Sequence, residues 1–248
     1  MTGMLSIERG MRVLEPCAGD GVFIDALLHE FPETAIDVYE LNPQAVSLLS
    51  GKYKFNNNVR ITGGDALTSL ELTSYGQTGG VYDRIIANPP YGGWQEQEKR
   101  ARLKKLYTGL YVKETYALFL FRSIRLLREN GRMVFIIPDT YLNLHMHTRL
   151  REYLWTHTKI KEIALLPSTF FPGINFKYAN LSIITLEKIS DPTECLNNEF
   201  RVVTGFDRVE ELNDPQGIKT FHFKQSNIYQ NIDHALFVSD SKEITDLI

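Results

Sequence analysis

The sequence predicts an α/β fold: a mostly parallel sheet with helices on both faces and a small C-terminal appendage. Two observations predict it. Short apolar, β-type runs alternate with stretches of helical periodicity between residues 12 and 189, the pattern of strands joined by crossover helices. A glycine-bearing loop, "LEPCAGDGVF", lies between the first strand and the first helix, where doubly wound sheets take a nucleotide.

The elements follow in order. "RVLEPCA" (12–18) is a short strand and "GVFIDALLHEF" (21–31) a helix. "AIDVYEL" (35–41) is a strand, and Pro43 opens the next helix at its first turn. "VRITGGD" (59–65) and "YDRIIAN" (82–88) are two more strands. Ala117, Leu120, Phe121, Ile124 and Leu127 recur at helical spacing, with Asn130-Gly131 as the stop. "RMVFIIPD" (132–139) is a buried strand and "LHMHTRLREYLW" (144–155) an amphipathic helix. "IKEIALLP" and "ANLSIITLEKI" (179–189) complete the strands of the main body. After residue 189 "SDPTECLNNEF" reads as loop, "FRVVTGF" and "IKTFHFKQ" as short strands, and a helix-like stretch runs to Ile248. The expected division is a catalytic body over 1–189 and a partial recognition or docking region over 190–248.

Composition bounds the function. The chain has 248 residues, 43% hydrophobic and 23% charged, as in an ordinary globular protein with a full core. No apolar run reaches the ~18 residues of a membrane span, and the start is not a secretory signal. Cys17 and Cys195 supply neither a disulfide framework nor a metal site, and the expected setting is a reducing cytoplasm, with no membrane and no metal. The net charge of −3 is unevenly spread: residues 190–248 carry −6 and residues 1–189 carry +3. Within the latter, "KRARLKK" (99–105) holds five cations in seven residues, Lys99, Arg100, Arg102, Lys104 and Lys105.

In the first loop Gly19 and Gly21 permit close approach of backbone to a ligand, with Ala18 adding little bulk, and Pro16 is counted with them among the expected cofactor-binding residues. The third glycine of a dinucleotide fingerprint is replaced by Ile24, and Glu15 and Asp20 would repel a pyrophosphate. Acidic flanks suit a cationic nucleoside such as S-adenosylmethionine. Glu40, followed by Leu41, ends the second strand, where an acid can bind both ribose hydroxyls. Asp65 ends the third and offers an acceptor to an adenine amine, while Ala66 and Leu67 offer apolar contact. Each acid alone reads as a turn residue; three of them closing three successive strands read as a site.

"LEPCAGDG", the acid at 40, "GDAL" and "NPPY" occur in the order found in the amino-directed DNA methyltransferases, and the sequence resembles that family over roughly residues 12–189. With the glycine loop ahead of Asn-Pro-Pro-Tyr, the resemblance is to the γ-class, N6-adenine enzymes of restriction-modification systems. It implies a Rossmann-like S-adenosylmethionine-dependent methyltransferase fold, a seven-stranded sheet with its last strand antiparallel, and DNA as partner. It also implies that Asn88 Oδ1 and the Pro89 carbonyl accept the two hydrogens of a planar amine beside the cofactor. Pro90 fixes the corner and Tyr91 lies on the base. A duplex base must be flipped out to reach such a corner. The opposite wall is expected from "TFFPGINFKY": Phe171 first, Phe176 second. The basic run, on a loop leaving the pocket, is expected to bind phosphates. His145, His147, Arg149 and Arg151 are expected at a helix surface.

The sequence departs from the family at both ends. The eleven residues before Arg12 do not resemble the segment that closes over the methionine end of the cofactor. The acidic tail is short of the cations a sequence reader needs. A further subunit or chain segment is therefore expected. An RNA or protein-glutamine methyltransferase with the same Asn-Pro-Pro-Tyr chemistry, and a non-catalytic subunit of the same fold, remain alternatives.

Overall fold

A computed structural model describes residues 1–92, 96–111, 113–167, 170, 180–206, 208, 211 and 218–238. The chain divides into two compact units, Met1–Phe135 and Ile136–Ile248.

In the first unit β1 (Arg12–Glu15), β2 (Ala35–Glu40), β3 (Val59–Gly63), β4 (Tyr82–Ala87) and β5 (Leu127–Pro138) appear where apolar β-type runs were read. They are all parallel, in the order β3-β2-β1-β4-β5. The strand order reverses between β1 and β4. The loops leaving these two neighbours therefore flank one crevice at the carboxyl edge of the sheet. That topology brings the glycine loop and Asn-Pro-Pro-Tyr together although some 70 residues separate them.

The connecting helices are α1 (Val22–Glu30), α2 (Pro43–Lys52), α3 (Leu70–Gln77), α4 (Gln97–Leu106) and α5 (Thr115–Leu126). Helix α2 starts where Pro43 predicts, with Asn42 Oδ1 accepting the N–H groups of Gln44 and Ala45. Helix α4 corrects an expectation, since it carries the basic run that was read as loop. Its apolar residues are too few to show a period, but Leu103 is fully buried and anchors it. Between Leu127 and Arg132 the pairing of β5 with β4 shifts register. Asn130, at φ 61°, turns the chain there rather than capping the helix, which ends at Leu126.

The segment before Arg12 forms a single 3-10 turn, Thr2–Leu5. It is held by Leu5, fully buried, and by Arg84, whose Nη2 donates to the Ser6 carbonyl at 2.8 Å.

The second unit contains α6 (Thr148–His157), β6 (Thr158–Leu166), β7 (Leu181–Lys188), α7 (Pro192–Leu196), β8 (Glu199–Thr204), β9 (Lys219–Lys224) and α8 (Gln225–Gln230). The seventh strand runs antiparallel to the sixth, as expected. Past the boundary expected at 190, β8 pairs parallel with β6 and β9 antiparallel with β8, all within this unit. Residues 192–196, read as loop, form the short helix α7, opened by the Asp191 cap and Pro192. The stretch running to Ile248 lies outside the described residues beyond 238.

His147 and Arg151, expected at the surface, are 1% and 0% exposed. Arg151 donates to the carbonyls of Tyr141, Leu144 and Asp233 at 2.8–2.9 Å, so its buried charge is met by turn carbonyls. Among the described residues no helix is long and apolar enough to cross a membrane. Nor does any cluster of three or more His, Cys, Asp or Glu among them suit a metal ion.

Candidate functional site

A cavity of about 660 Å³ opens at the crevice of the first unit, within the size range of small-molecule sites. Its walls come from the ends of four strands and from three helices, with Pro43 and Gln44 supplied by the first turn of α2. The loop after β1 gives Pro16, Cys17 and Gly19; the end of β2 gives Glu40, Leu41 and Asn42; the turn after β3 gives Asp65, Ala66 and Leu67. Asn88 and Pro90 enter after β4, Lys99 from α4, and Thr115 and Phe119 from α5.

The acids are held from below. Glu40 Oε2 accepts the Gly19 N–H at 2.8 Å and Oε1 accepts the Asn42 N–H at 2.7 Å. Each oxygen keeps a second acceptor direction for a ligand. Asp65 Oδ1 accepts the Leu67 N–H at 2.9 Å, and Oδ2 lies 2.9 Å from Lys99 Nζ. Two carboxylates against one ammonium leave this wall negative, and the donor set fits a ligand with hydroxyls, an amine and positive charge.

The corner after β4 is built as a unit. Asn88 is exposed while Pro89 is buried. Tyr91 Oη donates to Asn88 Oδ1 at 2.6 Å. Thr115 Oγ1, at the start of α5, donates to the Pro90 carbonyl at 2.6 Å. Burial pushes the Tyr91 hydroxyl up to about 12, so at neutral pH it keeps the proton it donates.

The other expected cofactor residues stand outside the cavity wall. Glu15 is 1% exposed, its Oε2 without a hydrogen-bond partner among the described residues. Burial, then the nearby Asp20 and Glu40, push its carboxyl well above the ordinary range. Gly21 does not line the cavity; at φ 84° an added Cβ would sit 2.7 Å from Leu49 Cδ2 and 2.9 Å from Tyr53 Oη. It is a packing glycine. Gly19, at φ 56° with open space where a Cβ would go, is the one that faces the cavity. Ala18 and Asp20 belong to the same turn without lining the cavity, and Pro89 is buried and does not line it either. The Cys17 thiol is pushed well up by burial and by Glu15 and Glu40, which keeps it neutral.

The basic run is split by the helix that carries it. Lys99 turns to Asp65, and Arg102 Nη2 donates to the Thr68 carbonyl at 3.3 Å. Arg100 is half-buried, whereas Lys104 and Lys105 are exposed in the last turn. Phe171 and Phe176 lie outside the described residues.

Sequence reasoning missed Thr115, Phe119 and the place of Lys99 in the cavity. No local signal marks them. The order of the helices around the switch point brings them in. It also missed Asn42 as a wall residue, although the Asn-Pro pair advertises its capping role.

Residues 30–171 match the Eco57I restriction-modification methylase family. The chain is 31% identical over 159 residues to the type II methyltransferase M.AccI of Acinetobacter calcoaceticus, covering 62% of this chain and 28% of that protein. It spans between 28% and 38% of the length of such curated relatives. Among solved structures, a modification subunit assigned to a type I restriction enzyme of Vibrio vulnificus YJ016 superposes with a TM-score of 0.73 at 19% identity, covering 92% of this chain and 54% of that one. A protein assigned as a class I S-adenosylmethionine-dependent methyltransferase of Listeria monocytogenes gives 0.59 at 17% identity, covering 75% and 56%. These likenesses establish the Rossmann-like methyltransferase fold.

Proposed function

Since the chain belongs to the Eco57I restriction-modification methylase family, we propose that it methylates the exocyclic N6 amine of an adenine flipped out of DNA, using S-adenosylmethionine. The observation that carries this reading is the shared cavity: Asn88 lines the same space as Glu40 and Asp65. A cationic nucleoside bound by the acids would lie beside the amide that receives the target amine.

The cofactor, when bound, supplies an electrophilic methyl group on sulfur. The chain supplies position and charge. Glu40 takes the ribose hydroxyls with oxygens already oriented by Gly19 and Asn42. Asp65 takes the adenine amine, against Ala66 and Leu67. An aromatic amine is a poor nucleophile because its lone pair is delocalised into the ring. Asn88 Oδ1 and the Pro89 carbonyl accept its two hydrogens out of the ring plane, which favours a tetrahedral nitrogen and a localised lone pair. Asn88 Oδ1 has room for this, since a carbonyl oxygen accepts two hydrogen bonds and Tyr91 fills one.

The neutral Cys17 thiol is a poor nucleophile and has no part in such a mechanism. Lys104 and Lys105 are the cations best placed to meet phosphates flanking the flipped base, with Arg100 and Arg102 at the edge of that surface. Phe171 remains the proposed second wall for the base, and residues 190–248 the proposed docking or recognition region.

Incubation with tritiated S-adenosylmethionine and DNA, RNA or protein tests this. Label recovered as N6-methyladenine from digested DNA supports it. Label confined to RNA or to protein glutamine, or recovered as N4-methylcytosine, contradicts it.

A further inference from the structure

The Lys99–Asp65 ion pair stands inside the cavity, 2.9 Å between Nζ and Oδ2, with the lysine side chain 33% and the aspartate 16% exposed. A solvated basic helix has no need to turn one lysine inward to a carboxylate 34 residues away in sequence. Each oxygen of Asp65 holds one partner, Oδ1 the Leu67 N–H and Oδ2 the Lys99 ammonium. The backbone bond is fixed by the turn; the ammonium is not. Each oxygen keeps a second acceptor direction, but the ammonium stands in the cavity against Oδ2, so a purine amine arriving on that side meets the lysine as its competitor.

Helix α4 itself is anchored. Leu103 is fully buried, Tyr107 Oη donates to the Leu67 carbonyl at 2.6 Å, and Arg102 holds the Thr68 carbonyl. The four-carbon arm of Lys99 is free of these anchors and can exchange partners by rotation. The helix that anchors that arm also presents Lys104 and Lys105 to solvent, so a polyanion drawn to this surface offers the displaced ammonium a new counter-charge.

We propose that Lys99 is a cation shared between cofactor and nucleic acid: it competes with the cofactor's adenine amine for Asp65, and a DNA phosphate relieves the competition by taking the lysine. The inference rests on the reading of this cavity as the S-adenosylmethionine site. Linkage requires DNA to tighten the cofactor and the cofactor to tighten DNA by the same factor.

The test is calorimetry with S-adenosylhomocysteine, whose sulfur is uncharged, so that the adenine contact is read apart from sulfonium attraction. Wild type, Lys99→Met and Lys99→Arg are each titrated with and without a long mixed-sequence duplex at low salt. Wild type is expected to bind S-adenosylhomocysteine about five-fold tighter when DNA is present, the low end for coupled sites. Lys99→Met is expected to show that tighter affinity without DNA and no further gain with it. Lys99→Arg retains the charge and is expected to retain the DNA dependence. If wild type and Lys99→Met bind equally, or Lys99→Met binds more weakly, or DNA leaves the wild-type affinity unchanged, the shared cation is overturned while the cofactor site stands. No binding by any of the three overturns both.

Discussion

The hydroxyl of Tyr91 donates to Asn88 Oδ1 across 2.6 Å. The aromatic residue of the Asn-Pro-Pro-Tyr corner thus has a contact beyond the ring-face role proposed for it. It fixes which atom of the Asn88 amide faces outward and occupies one of the two acceptor directions on it. Tyr91→Phe removes the orientation and keeps the ring. We expect about a five-fold loss in single-turnover rate, the size of one neutral hydrogen bond of ~1 kcal/mol, with cofactor affinity unchanged. Tyr91→Ala removes the stacking face as well and should cost a further ~5-fold to ~100-fold or more, since base–aromatic stacking contributes roughly 1–3 kcal/mol. Equal rates for Tyr91→Phe and wild type would show that the hydroxyl is idle.

The two glycines of the first loop should separate in their effects. Gly21→Ala places a Cβ 2.7 Å from Leu49 Cδ2 at φ 84°. Left-handed strain and overpacking together predict a loss of about 3 kcal/mol, or a Tm lower by roughly 6–12 °C. Gly19→Ala meets open space at φ 56° and should cost only ~1–2 kcal/mol, but its methyl group enters the cavity wall and should weaken cofactor binding about ten-fold or more. Thermal melts and calorimetry on the pair check both halves.

Glu15 makes neutral-pH stability a compromise. Burial raises its carboxyl well above the ordinary 4.5, so the folded chain holds a proton that the unfolded chain gives up. Its contribution is fully present below pH 4.5 and is lost as pH rises through the higher folded value. Glu15→Gln resembles the protonated form and has no such proton to lose. It should melt higher than wild type at pH 8, by about 1–3 kcal/mol, with the difference shrinking toward pH 5. A constant difference across that range would contradict this account.

Tyrosines make the corresponding prediction on the alkaline side. Tyr39, Tyr53 and Tyr91 are pushed from 10.0 to about 12, with burial the largest cause in each. Between pH 10 and 12 the unfolded chain has lost these protons and the folded chain has kept them. Stability should therefore fall through that window, with the decline beginning near pH 9, where the unfolded chain gives up the Cys17 proton that the folded chain keeps. Urea midpoints measured from pH 8 to 12 would show the decline, and its absence would place these hydroxyls in water.

Much of the fold was legible because it is written locally. Apolar runs at Ala35–Glu40 and Tyr82–Ala87 became strands within a residue of expectation, the strand at Arg12–Glu15 stopped three residues short of the run read for it, and Asn42-Pro43 opened α2. The positions of Glu40, Asp65 and Asn88 around one cavity followed from strand ends and the parallel order. What was not legible depends on distance in sequence. Arg151 was read as surface because its carbonyl partners at Tyr141, Leu144 and Asp233 lie on other elements. Lys99 was read as part of a phosphate-binding loop because nothing in "KRARLKK" shows that its first cation meets Asp65. Thr115, 25 residues beyond the Pro90 carbonyl it holds, carries no local mark at all.

The account stands or falls on the Asn88 amide as acceptor for the target amine. Asn88→Ala is the direct measurement, read as cofactor affinity and as methyl incorporation into DNA on the same preparation. The expected result is an S-adenosylmethionine affinity within about three-fold of wild type and a transfer rate lower by at least ~10². Turnover close to wild type in that variant would show that the amine is captured elsewhere.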